Sequence, residues 1–83
     1  MKIRTSKGDE FEALSAVVSE DGKEMTVTIR DDMDMNAASE RFRNLDYLES
    51  GGEVIFWKSY FLCCTHYIEE KKYKIRIERS GET

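Results

Sequence analysis

Few side chains in this sequence are suited to chemistry, and each sits in a short context that can be read directly. Cys63-Cys64-Thr65-His66 places both cysteines beside the only histidine. Successive side chains in a strand point to opposite faces, so Cys64 would share a face with His66, and Cys63 with Thr65. A closed zinc site needs four ligands, and two cysteines on opposite faces plus one imidazole do not supply them. A cysteine–histidine nucleophile needs a third group to orient the imidazole and donors for an oxyanion, which no motif here provides. The segment predicts two free thiols in a strand, with no metal, no cofactor and no catalytic residues.

Asp32-Met33-Asp34-Met35-Asn36 spells D-x-D-x-N, the opening of a calcium-binding loop. Continuing that template, Ala37 stands where the turn requires glycine and Arg43 where a bidentate glutamate should close the site. The better expectation is a strand-to-helix corner, with Asp34 or Asn36 as N-cap and Met33 and Met35 packing inward. Gly51-Gly52 reads as a turn, since neither a helix start nor a lysine follows it as in a phosphate loop. Lys71, Lys72, Lys74, Arg76 and Arg79 form the one basic patch, and Glu69, Glu70 and Glu78 interleave it. A solvated hairpin face is the expectation there.

Aromatic density is the strongest signal. Five of the nine aromatic residues lie within 54–68: Phe56, Trp57, Tyr60, Phe61 and Tyr67. Alternation sends Val54 and Phe56 one way and Ile55 and Trp57 the other. A domain of 83 residues has a thin core. One set of rings is therefore expected outside, where large aromatics mark binding surfaces. These five residues are the expected contact surface for a protein partner or for a second copy of the chain.

Charge gives a rival reading. The net charge is −4 and unevenly placed: residues 1–40 hold five Lys/Arg against ten Asp/Glu, residues 41–83 eight against seven. No basic stripe suited to a phosphate backbone is present, so direct nucleic-acid binding is not expected. An acidic surface of Asp31, Asp32, Asp34 and Glu40, with Glu20, Asp21 and Glu24 beside it, suits a charge mimic seated in the basic groove of a nucleic-acid-handling enzyme. A third reading is an oligomer that sequesters a small ligand between subunits.

The elements that would position these residues follow from periodicity. Lys2 to Thr5 predicts a short strand, and Glu10 to Val18 a second, apolar on both faces near its end and hence an inner strand. On the second, Phe11, Ala13 and Val17 would share one face, with Leu14, Ala16 and Val18 on the other. Asp21-Gly22 supplies a hairpin turn before Met25 to Arg30, where Met25, Val27 and Ile29 alternate inward. Ala37 to Asn44 predicts a helix of about three turns. It turns Ala38, Phe42 and Leu45 inward and Ser39, Glu40, Arg41 and Arg43 toward water. Strands are expected over 46–49, 53–57, 60–68 and 73–78. The order β-β-β-α-β-β-β-β predicts an α+β fold: an antiparallel, strongly curled sheet or partly closed roll with one short helix. Residues 1–79 are expected to form one domain and residues 80–83 a flexible tail.

No run approaches 18 apolar residues, so no membrane association is expected. Met1-Lys2-Ile3-Arg4 lacks the apolar stretch of a signal peptide, and neighbouring cysteines suit a reducing compartment, so a cytoplasmic location is expected.

Three stretches carry a resemblance: Lys2-Ile3-Arg4-Thr5-Ser6-Lys7-Gly8-Asp9-Glu10-Phe11-Glu12-Ala13, Arg41-Phe42-Arg43-Asn44-Leu45, and Tyr73-Lys74-Ile75-Arg76-Ile77-Glu78-Arg79. Together they resemble small β-rich proteins of phages and prophages of Gram-positive bacteria, over most of the chain. The resemblance implies a non-enzymatic accessory protein, in the host cytoplasm or associated with the virion. Its alternative is an inhibitor of host defence in the manner of an anti-CRISPR protein. It implies no catalytic residues.

Overall fold

The computed structural model describes residues 1–80, which form β1 (Lys2–Thr5), β2 (Glu10–Val18), β3 (Glu24–Arg30), α1 (Met35–Arg41), β4 (Leu45–Ser50), β5 (Glu53–Tyr67) and β6 (Lys72–Arg79). Two three-stranded meanders, β1-β2-β3 and β4-β5-β6, join edge to edge through β3–β6 and β1–β4. The result is a closed antiparallel barrel in the order β1-β2-β3-β6-β5-β4. The expected curled sheet and single helix are present, and the sheet closes fully rather than in part.

Cleanly alternating strands build the wall. Met25, Val27 and Ile29 of β3 pair with Ile77, Ile75 and Tyr73 of β6, and all six are buried. Phe42 stacks on Phe11 at 4.9 Å and, with Ala38, carries the helix into the core. The turns obey local chemistry. Gly51 and Gly52 both have positive φ (60° and 86°), the geometry of a two-residue hairpin between paired Ser50 and Glu53. In the β2–β3 turn the Asp21 carboxylate accepts from the Ser19 hydroxyl (2.6 Å) and the Lys23 N–H (3.0 Å), and Gly22 takes φ 74°.

The structure corrects the expected elements at three places. The strands expected over 53–57 and 60–68 are one fifteen-residue strand, β5, which runs through Lys58 at φ 42°. There are therefore six strands, not seven. In β2 the bulge residue Leu14 has no partner, because Ala13 pairs with Ile29 and Ser15 with Thr28. The bulge flips the faces beyond it: Ala16 turns to the core and Val17 is 61% exposed. The helix has seven residues, two turns rather than three, with Ser39 buried and Met35 exposed, while Met33 packs on the core as expected. Its N-cap is Asp34, whose Oδ1 accepts from the Ala37 N–H at 2.9 Å. After β6, the Ser80 N–H donates to the Lys58 carbonyl at 2.6 Å. The rest of the expected tail, 81–83, lies outside the described residues.

Candidate functional site

β5 sorts its aromatics by face. Phe56 is 1% exposed inside the barrel and Phe61 packs against the same core, whereas Trp57 is 52% exposed. Phe56 is thus removed from the expected contact surface, and Phe61 lies under the Arg43 guanidinium, 4.7 Å from its ring centre. Strict alternation would put Trp57 and Tyr60 on opposite faces. The left-handed Lys58 between them resets the alternation, and both face out. Tyr67 is also partly exposed, but it lies ten residues along from Trp57, roughly 30 Å at ~3.3 Å per residue. The five expected residues therefore do not form one patch.

What does assemble is a smaller group around Trp57. Tyr47 of β4 stands directly across from it in the ladder and is itself exposed. The Arg79 guanidinium lies 5.8 Å from the Trp57 ring and 5.1 Å from that of Phe56. Tyr60 donates its hydroxyl to Glu78 at 2.6 Å, and that carboxylate holds the phenol above its ordinary pKa. Tyr47 is the member that sequence reasoning passed over. It lies outside the dense aromatic segment, and only the β4–β5 register brings it to Trp57.

The basic patch is largely engaged. Arg76 forms a two-pronged contact with Glu24 (2.8 and 3.0 Å), which lowers the carboxyl's pKa and raises that of the guanidinium. Lys72 pairs with Glu70 at 2.6 Å, and Lys74 lies 5.1 Å from the Tyr67 ring. The acidic residues are scattered in role. Asp31 Oδ2 meets His66 Nε2 at 2.8 Å, Asp34 caps α1, and Glu40 lies 4.0 Å from Arg43. Asp32 lines a concavity of about 130 Å³ with Glu10 and Glu12.

The Asp31–His66 pair supplies the orienting carboxylate that the cysteine–histidine motif lacked in sequence, across 35 positions. The imidazole also stacks on Tyr73 at 4.6 Å. Yet burial pushes the Cys64 thiol above its ordinary pKa, outweighing a hydrogen bond with Ser39 that acts the other way. A nucleophile requires the opposite shift. Among the described residues no group of three or more His, Cys, Asp or Glu gathers as metal ligands, and no helix is long and apolar enough to cross a membrane. Compared with known proteins, the chain matches no family model, no curated protein and no solved structure.

Proposed function

We propose that this is a non-enzymatic protein-binding module, of the phage accessory type that the sequence resembles, whose partner seats on Trp57, Tyr47 and Tyr60. One observation carries the reading: the only tryptophan is 52% exposed on a barrel whose interior is already filled by Phe11, Phe42, Phe56 and Tyr73. Tryptophan and tyrosine lose little conformational entropy on docking and dominate binding energy at interfaces. Arg79 beside the indole adds a residue type equally favoured there. The charge-mimic reading has less support, because Asp31, Asp34 and Glu40 already have partners within the chain. The ligand-sequestering reading needs a pocket between subunits, and nothing among the described residues favours it over the aromatic group.

The sole tryptophan is also the reporter. Protein purified with its retained partner should emit at shorter wavelength than free protein, and a Trp57→Ala, Tyr47→Ala variant that keeps wild-type circular dichroism and a cooperative melt should lose that partner. Equal retention by the variant, or an unshifted emission in the complex, would sink the proposal.

A further inference from the structure

Although the barrel is closed, β2 runs on past the short strand that covers it. β1 covers β2 only through Lys2↔Glu12, Ile3↔Phe11 and Arg4↔Glu10, extended by the mutual bonds of Met1 and Ala13 (2.7 and 2.9 Å). Beyond the bulge at Leu14, Ser15 to Val18 pair with β3 on one side, and no strand among the described residues pairs with them on the other. The helix α1 packs against β5. On the stretch of β2 beyond Ala13, Leu14, Val17 and Val18 are 49%, 61% and 42% exposed.

The ladder fixes which backbone groups face outward. The Ser19 N–H donates to the Glu24 carbonyl at 2.8 Å, so Ser19–Glu24 is a hydrogen-bonded pair. Hydrogen-bonded and non-bonded pairs alternate along an antiparallel ladder. Val17–Thr26 and Ser15–Thr28 are then bonded pairs, while Ala16 and Val18 direct their N–H and C=O groups away from β3. No hydrogen bond among the described residues reaches those four groups.

We infer that this edge pairs with the same edge of a second copy, antiparallel about a two-fold axis at Val17. In that register Ala16 bonds Val18 of the copy and Val18 bonds its Ala16, so all the outward groups on both chains are satisfied. Charge favours this occupant and this register. Leu14-Ser15-Ala16-Val17-Val18 has no charged residue in a chain that is 36% charged. An axis at Val17 sets Glu20 opposite Leu14, and Glu12 opposite Gly22. An axis at Ala16 would set Glu12 against Glu20, like charges that oppose pairing. Val17 then meets Val17 of the copy at close side-chain range, which explains an uncapped β-branched residue on an open edge, where soluble proteins ordinarily place a charge. The surface is separate from the Trp57 group, so a dimer would display two such groups.

Native mass spectrometry and light scattering at about 100 μM test the pairing. Wild type should be dimeric, and Val17→Lys and Val17→Glu each monomeric with wild-type circular dichroism. An equimolar mixture of the two variants should restore a heterodimer, because the axis sets position 17 against itself. Amide exchange at Ala16 and Val18 should slow at least tenfold between dilute and concentrated protein. A monomeric wild type, a Val17→Lys variant that stays dimeric, or a mixture that does not reassociate would each overturn the inference. Dimerisation lost in Trp57→Ala but kept in Val17→Lys would assign self-association to the aromatic group instead. Loss of partner binding with the dimer intact would fall on the proposed function alone.

Discussion

Phe56 and Trp57 are adjacent in the chain and lie on opposite sides of the barrel wall, the first 1% and the second 52% exposed. Their truncations should therefore part widely. Phe56→Ala empties a filled core site and should cost about 3–5 kcal/mol in urea unfolding. Trp57→Ala loses a contact with Arg79 and should cost about 0.5–1 kcal/mol. Equal costs would mean that Trp57 is structural.

The helix has only two turns and depends on its N-cap. Asp34→Ala removes the side-chain acceptor for the Ala37 N–H and should lower stability by about 1 kcal/mol, with Asp34→Ser recovering most of it. Denaturant midpoints of the three proteins provide the comparison. An Ala variant as stable as wild type would show that the helix is held by Ala38 and Phe42 alone.

Acid should weaken the β3–β6 seam. Arg76 holds the Glu24 carboxyl below its ordinary pKa, and the Ser19 hydroxyl and Lys23 N–H do the same for Asp21. A carboxyl lowered in the folded state stabilises above its unfolded pKa, and that share is lost as pH falls through the folded value. The melting temperature should drop from about pH 5 downward, and Glu24→Gln should make that drop shallower. A slope unchanged in Glu24→Gln would show that the Arg76 contact does not persist in solution.

Cys64 should be a slow thiol. Burial raises its pKa, so at pH 8 iodoacetamide should modify it more slowly than it modifies glutathione, read site by site by mass spectrometry. Modification faster than glutathione would point to an activated nucleophile beside His66 and reopen catalysis.

Sequence legibility followed regularity. β3 and β6 are readable because Met25, Val27 and Ile29 of one and Tyr73, Ile75 and Ile77 of the other are buried at every second position, with no bulge between the strands. β5 is not. Ile55 and Leu62 are unpaired extra residues against β4 and β6, and Lys58 takes a left-handed conformation that looks in sequence like the end of a strand. The same irregularities decide which rings are outside, so Trp57 and Tyr60 were read as exposed alongside Phe56, which is not. The partner of His66 was beyond reach for a different reason. Asp31 looked like one of several surface acids until folding brought it across 35 positions.

β6 sits between β3 and β5, although it is the last of the six strands to be made. Until residues 72–79 have been synthesised, Met25, Val27 and Ile29 have no neighbour on one side, and the first meander cannot close on the second. Folding should thus be delayed and then abrupt, with few productive contacts on a nascent chain that stops short of Lys72. A fragment ending at the β5–β6 turn should be a substrate for chaperones and proteases, not a smaller barrel.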